Sequence, residues 1–112
     1  MTEQQIIETL GTEVMGWELL ANDGLGWTCQ RPDGVFVYEW SWNPLENLSD
    51  AFQVMEKIGA NKFNTEIIRR TDGMYFVTFK KVGRAEDKLF EVYASGETVQ
   101  KAVCNAAMKV VS

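Results

Sequence analysis

Residues 74–81 carry apolar side chains at both of the alternating positions of an extended strand. Met74 and Phe76 fall on one face, whereas Tyr75, Val77 and Phe79 fall on the other. A strand of this kind needs protein cover on both faces of its sheet. Residues 89–94 are also mainly apolar on both faces. The chain is therefore predicted to build a sheet that is covered on both sides.

A first hairpin is predicted around Pro32-Asp33-Gly34, with strands at 27–31 and 35–42. Proline presets the first turn angle, and glycine supplies the positive φ that the turn requires. Because side chains alternate along a strand, the second strand is expected to place an aromatic row on one face: Phe36, Tyr38, Trp40 and Trp42.

A second hairpin is predicted to join residues 62–70 to the strand at 74–81 through the turn Thr71-Asp72-Gly73. Its cations fall into two groups. Arg69 and Arg70 border the turn, whereas Lys80, Lys81 and Arg84 gather at the far end of the next strand. The two groups are expected at opposite ends of the hairpin, so they need not form one patch.

Three helices are predicted from apolar residues at spacings of three and four. The first follows a capping box of Thr2 and Gln5 and ends near Gly16. The third begins at Ser95 or Glu97 and carries an apolar face of small residues: Val99, Ala102, Val103, Ala106, Ala107 and Val110.

The second helix has the most complete start signal in the chain. Asn43 is expected as its N-cap, Pro44 as its first residue and Glu46 as the reciprocal cap. Trp42, which precedes the cap, is expected to pack on the first turn. Gly59 is the predicted terminator of this helix.

The predicted order of elements is α-β-β-α-β-β-β-α, and the short links between strands make a mainly antiparallel, five-stranded sheet. Helices above and below that sheet give an α+β protein of the three-layer α/β/α sandwich type, although a partner subunit could supply one layer. The chain has 112 residues and no linker-like tract, so residues 1–112 are predicted to form a single domain.

Targeting and redox signals point to the cytosol. No apolar run approaches the ~20 residues that span a bilayer, and the N-terminus lacks the pattern of a signal peptide. Cys29 and Cys104 have no CxxC spacing, so we expect neither a disulfide framework nor a zinc site. Each is interpreted as a small buried apolar side chain.

The charge of the chain is unevenly distributed. The net charge of −5 argues against electrostatic attraction to nucleic acid or to an anionic membrane. Residues 57–88, however, hold eight basic and four acidic side chains, a local charge of +4, which leaves −9 on the remainder. This basic segment is the strongest candidate for a functional region in the sequence.

Three segments carry a family likeness: Glu13-Val14-Met15-Gly16-Trp17, Trp42-Asn43-Pro44-Leu45-Glu46-Asn47 and Ala102-Val103-Cys104-Asn105-Ala106-Ala107. Together they resemble the phage ABA sandwich domain, a family of small proteins from phages and prophages of Gram-positive bacteria. The resemblance implies an α/β/α sandwich and a phage origin, and hence the cytosol of a host cell. It brings no catalytic residues.

The sequence lacks the common catalytic motifs. It has no histidine, which excludes Ser-His and Cys-His nucleophilic pairs, and no Walker loop, GxGxxG or EF-hand loop. We therefore predict a protein that is not an enzyme and has no cofactor. A metal-dependent hydrolase using Glu46, Asp50 or Glu66 is less favoured, because acids near a helix start are explained by capping and the helix dipole.

Seven side chains are the candidate ligand-binding residues. Four are cations of the second hairpin, one is an arginine just after it, and two are aromatic residues of the first hairpin: Arg69, Arg70, Lys80, Lys81, Arg84, Tyr38 and Trp40. Arginine forks and lysines can hold a phosphate group or an acidic partner, and an exposed aromatic row can anchor an interface. The structural alternatives are a solvated, charge-protected hairpin edge and an aromatic row that is half core.

These observations rank three functions. The first is a phage or prophage accessory protein that binds a host or phage protein or a small phosphate-bearing ligand, with a homo-oligomer plausible. The second is a structural or assembly component of the phage particle, in which charge asymmetry and the aromatic strand serve head-to-tail packing. The metal-dependent hydrolase is third.

Overall fold

The computed structural model of the chain describes residues 2–23, 26–82 and 89–111. Helices and strands alternate in groups along it. In chain order the elements are α1 (Glu3–Thr9), a π-helical turn (Leu10–Val14), β1 (Glu18–Asp23), β2 (Gly26–Gln30), β3 (Phe36–Tyr38), α2 (Leu48–Ala60), β4 (Asn64–Arg69), β5 (Tyr75–Val82), β6 (Leu89–Gly96) and α3 (Val99–Val111). None of the described helices is long and apolar enough to span a membrane.

The strands form two sheets of three strands each, both fully antiparallel. The N-terminal sheet has the order β1-β2-β3 and the C-terminal sheet has the order β4-β5-β6. The α+β class and the antiparallel pairing are thus confirmed. The single five-stranded sheet is not confirmed, because among the described residues no strand of one group pairs with a strand of the other. The three-layer order stays a prediction.

Strand β1 is the element that the sequence analysis missed. Its residues pair with β2 from Glu18 opposite Gln30 to Asp23 opposite Gly26, with a bulge between Leu19 and Ala21. Asn22 and Asp23 are turn-forming residue types, which locally favour a loop. The pairing with β2 and a side-chain hydrogen bond from Asn22 to Glu8 of α1, 2.8 Å long, override that local preference.

The two predicted hairpins are present, and their turns have the same construction. In each, an arginine N–H donates to a carbonyl four residues later, and the Asp-Gly pair places glycine at a φ near +90°: 91° at Gly34 and 87° at Gly73. The aspartate side chain then accepts the N–H two residues on, from Val35 at 3.1 Å and from Met74 at 3.0 Å. This is the three-residue loop in which a type I turn is closed by a left-handed glycine.

Helix α1 begins as predicted, with both hydrogen bonds of the Thr2 and Gln5 capping box in place. It continues into the π-helical turn, where the Met15 N–H donates to the Leu10 carbonyl. Gly16 then takes a φ of 75° and ends the helical segment. A side chain at Gly11 would lie 3.3 Å from the Trp17 ring, so glycine allows Trp17 to pack against this turn.

Helix α2 begins later than predicted, and its cap is different. The N-cap is Asn47, whose side chain accepts the Asp50 N–H at 3.0 Å, so the assignment of Asn43 as cap was wrong. Asn43 instead closes a tight turn with Leu45, and its own N–H donates to the Asp50 carboxylate at 2.9 Å. Asn43 and Asn47 are both favoured N-cap residues, and Asn47 is the one that caps the helix.

Helix α3 begins at Val99, where the Thr98 hydroxyl accepts the Lys101 N–H at 3.2 Å, so neither Ser95 nor Glu97 is the cap. The helix packs on the face of the C-terminal sheet that carries Val77 and Phe79. Side chains from the helices and from both sheets join in one hydrophobic core.

Helix α3 lies close against the end of β6 at Gly96. A methyl group on Gly96 would lie 2.6 Å from the Ala102 backbone nitrogen, which leaves no room for it. We expect Gly96→Ala to lower the free energy of unfolding by about 1–3 kcal/mol, because the helix must shift away from β6. Gly59→Ala is the matched control: Gly59 lies in α2 with open space around it, so alanine should stabilise the helix by about 0.5–1 kcal/mol. Urea unfolding measures both, and equal effects would contradict the tight contact.

Candidate binding surface

The N-terminal sheet presents an exposed set of apolar side chains around β3, here called the aromatic surface: Val35, Phe36, Tyr38 and Trp40. At its centre the rings of Tyr38 and Trp40 stack with an angle of 3° between their planes and 5.3 Å between their centroids. Trp40 is 82% exposed, the highest value of any large apolar residue in the described part of the chain.

The backbone beneath this stack is held by hydrogen bonds. The chain leaves β3 after Tyr38 in a tight turn, in which the Ser41 N–H donates to the Tyr38 carbonyl at 2.9 Å. The Ser41 hydroxyl donates to the same carbonyl at 2.9 Å and accepts the Tyr38 N–H at 3.0 Å. In addition, the Glu39 N–H donates to the Trp27 carbonyl of β2 at 3.1 Å. The turn that carries Trp40 is therefore held in place by hydrogen bonds within the chain.

The predicted aromatic row does not exist as one face of one strand. The strand ends at Tyr38, and the turn that follows breaks the alternation on which the prediction rested. Trp42 points into the core, where its indole N–H donates to Gln53 at 3.0 Å and its ring meets Trp17 edge to face at 4.7 Å. Phe36, Tyr38 and Trp40 remain exposed, so both aromatic residues chosen as candidates lie on the surface.

The cations of the C-terminal sheet lie in two groups, as predicted. Arg69 pairs with Tyr75 beside the turn, whereas Lys80 pairs with Asn64 at the other end of β4. The two pairs are five residue steps apart along β4, which is roughly 17 Å of extended chain. The described cations therefore do not converge on one phosphate group, and Arg84 lies outside the described residues.

Three of these cations also have partners within the chain. The Arg70 guanidinium lies 3.5 Å from the Asp72 carboxylate and 5.1 Å from the centre of the Phe76 ring. Arg69 lies over Tyr75 at 6.0 Å, and Lys81 lies over Phe63 at 5.4 Å. Cation–π contacts of this kind hold the side chains against the sheet.

A groove of about 510 Å³ runs between α2 and the turn of the first hairpin. Its charged lining residues have both signs, and Arg31 is already paired with Asp33 at 2.8 Å. The sequence analysis did not single out this groove, because its residues come from three distant segments: Met15, Trp17, Arg31, Pro32, Asp33, Gln53, Glu56, Lys57 and Ala60. Local patterns do not show that these segments meet.

The carboxylates considered for a metal site do not form a cluster. Asp50 holds the Asn43 N–H, and Glu66 lies on β4, in a different element from Glu46 and Asp50. Within residues 2–23, 26–82 and 89–111, no three His, Cys, Asp or Glu side chains lie close enough together to hold a metal ion.

Both cysteines are buried and unpaired, as predicted. Burial raises the pKa of the Cys104 thiol from its usual value of 9.0 to about 12. Burial also raises the pKa of Cys29, with a smaller contribution from the nearby Glu8 carboxylate. A raised pKa keeps the neutral thiol, so neither side chain is activated as a nucleophile.

These pKa shifts predict slow thiol labelling in the folded protein. Unfolded cysteines ionise near pH 9, whereas folded Cys104 keeps its proton until about pH 12. At about pH 9 we expect an aromatic disulfide reagent to label neither thiol of the native protein, and to label both rapidly in denaturing guanidinium. Rapid labelling of the native protein would contradict the burial of these residues.

The fold defines a small α+β protein with two three-stranded sheets, and its most prominent surface feature is the stacked pair of Tyr38 and Trp40. The chain belongs to the phage ABA sandwich domain family, whose model matches residues 8–108. It is therefore a phage-associated protein. A search of curated proteins finds no match to the chain.

Proposed function

We propose that this chain is a non-enzymatic phage accessory protein that binds a host or phage protein through the aromatic surface. The observation that carries the proposal is Trp40, which is 82% exposed and stacked on Tyr38. Tryptophan and tyrosine are the residue types most enriched among the side chains that dominate binding energy in protein interfaces.

The energetics favour use of this surface. Leaving large aromatic rings in water forgoes about 2–3 kcal/mol for each ring that could be buried. A partner that covers Trp40 recovers most of this free energy, and burial of Tyr38, which is 38% exposed, adds a smaller part. The rings are already stacked and the Ser41 turn is already hydrogen-bonded, so little conformational entropy is lost on binding.

Charge favours a protein over a phosphate-bearing ligand at this site. Between Val35 and Ser41 the one charged side chain is the acidic Glu39, which repels phosphate. The hairpin cations that could attract phosphate lie on the other sheet in two separate groups. A largely apolar partner surface is the better complement of the aromatic surface.

Site-specific photo-crosslinking during infection tests the proposal. The photoreactive residue p-benzoylphenylalanine replaces Trp40 in one variant and Phe52, an exposed aromatic residue of α2, in a control variant. We expect a discrete crosslinked protein from position 40 and none from position 52. If that protein is a component of the phage particle, the role is in assembly; if it is a host protein, the role is in the infected cell.

The purified partner then allows a quantitative comparison by calorimetry. Trp40→Ala should weaken binding by at least about 10-fold, because truncation of a central aromatic anchor costs about 2 kcal/mol. Phe52→Ala should leave the affinity unchanged. Equal affinities of wild type and Trp40→Ala, or the same crosslinks from both positions, would refute the proposal.

A further inference from the structure

The two edges of the C-terminal sheet differ. Along β6, helix α3 supplies side-chain donors to the backbone: Asn105 donates to the Ser95 carbonyl at 3.0 Å, and Lys109 donates to the Tyr93 carbonyl at 2.7 Å. Strand β4 forms the other edge, and within the described chain it pairs only with β5. All of its residues except Thr65 are exposed.

The hairpin turn shows which backbone groups of β4 face outward. The N–H of Arg70 donates to Met74 and its carbonyl accepts from Gly73, so both groups point toward β5. Backbone direction alternates along a strand, so Ile68 and Glu66 also point toward β5. The N–H and carbonyl groups of Thr65, Ile67 and Arg69 therefore point away from the sheet, toward any strand that docks there.

We infer that β4 is a self-association edge, on which β4 of a second copy of this chain pairs in antiparallel orientation about a two-fold axis at Ile68. Ile67 of each copy then lies opposite Arg69 of the other, and each such pair exchanges two backbone hydrogen bonds. The C-terminal sheets of the two copies then become one continuous sheet of six strands. This pairing is separate from partner binding by the aromatic surface.

Charge complementarity selects the second copy and the register. With the axis at Ile68, Glu66 of each copy lies directly opposite Arg70 of the other, so two pairs of opposite charge form by symmetry. An axis at Glu66 would instead oppose two carboxylates, and an axis at Ile67 would place each Glu66 opposite an isoleucine. A shift by one residue is excluded, because it would pair outward-facing with inward-facing backbone groups.

The exposed side chains of β4 also fit this arrangement. Ile68 is 55% exposed on the sheet face opposite α3, and the axis brings the two Ile68 side chains together. The strand has no proline or bulge, two of the features that commonly protect a free edge from pairing, and its two charged side chains, Glu66 and Arg69, have opposite signs. The contact is small, so we expect a reversible dimer that is populated at roughly 100 µM and absent near 1 µM.

Cysteine crosslinking tests the register. At the axis, Cα atoms of a non-hydrogen-bonded pair lie about 4.5 Å apart, within the range that a disulfide spans. The two copies of Ile67 would be roughly 8 Å apart, beyond that range. Under mild oxidation Ile68→Cys should give a disulfide-linked dimer and Ile67→Cys should not. Native Cys29 and Cys104 are buried and serve as an internal negative control.

Charge reversal tests the contact without a covalent bond. In sedimentation equilibrium, Glu66→Arg and Arg70→Glu should each weaken the dimer by about 5- to 10-fold, and the double variant should restore it. Circular dichroism confirms that each variant is folded. Monomeric wild-type protein at roughly 100 µM, preferential crosslinking through Ile67→Cys, or no rescue by the double variant would each overturn the proposed pairing. None of these outcomes bears on Trp40, so this inference and the proposed function fail independently.

Discussion

Replacement of Phe79 by alanine is expected to lower the free energy of unfolding by about 3–5 kcal/mol. Phe79 is fully buried in the middle strand of the C-terminal sheet, between Thr65 of β4 and Val92 of β6. Because β5 is hydrogen-bonded on both sides and covered by α3, the neighbours cannot collapse into the space that the ring leaves. Domains of this size are stable by about 5–15 kcal/mol, so the variant should lie near the limit of folding.

Urea unfolding followed by circular dichroism measures this loss. Thr78→Ala is the matched control, because Thr78 directly precedes Phe79 on the same strand and its side chain lies on the other face of the sheet. We expect the control to cost less than about 1 kcal/mol. Phe79→Leu keeps most of the buried volume and should cost about 1–1.5 kcal/mol, which gives a folded variant if alanine is not tolerated. Equal losses for Phe79→Ala and Thr78→Ala would refute the assignment of the sheet faces.

Replacement of Trp42 by alanine should cost a similar amount, about 3–5 kcal/mol. The indole of Trp42 is 4% exposed, packs edge to face against Trp17 and donates to Gln53 of α2. It therefore links the residues that directly follow the first helical segment to α2. Truncation removes the ring contact and the hydrogen bond together and leaves a cavity between these segments.

Trp40→Ala is the control for this second substitution, because it removes the same side chain two residues earlier from a site that is 82% exposed. We expect it to change the free energy of unfolding by less than about 0.5 kcal/mol. The two variants also separate stability from function. Trp42→Ala should destabilise the fold, whereas Trp40→Ala should leave the fold intact and weaken partner binding. A large loss of stability in Trp40→Ala and none in Trp42→Ala would contradict the assignment of Trp40 to the surface and Trp42 to the core.

Features set by neighbouring residues were predictable from the sequence. The capping box of Thr2 and Gln5 is present, and Gly34 and Gly73 close the two turns where they were expected. The burial of both cysteines was also predicted. In each of these cases a residue type is favoured by local geometry or by its own transfer energy, so distant parts of the chain need not be known.

Features set by distant contacts were not predictable. Strand β1 is formed in spite of turn-forming residues at Asn22 and Asp23, because β2 pairs with it along its length. The division into two sheets depends on which strands meet, and hairpin patterns do not determine that. The candidate site divides in the same way: exposure of Trp40 follows from the Ser41 turn, which alternation along the strand did not reveal.

The most direct test of protein binding by the aromatic surface is quenching of tryptophan fluorescence by iodide. Of the four tryptophans, Trp17, Trp27 and Trp42 are buried and Trp40 is exposed, so Trp40 supplies the quenchable emission of the free protein. Trp40→Phe should abolish that component and identify it. The chain is then saturated with the partner found by crosslinking, and the partner's own emission is subtracted. In this complex we predict that iodide no longer quenches Trp40. Unchanged quenching in the saturated complex would contradict binding through this surface.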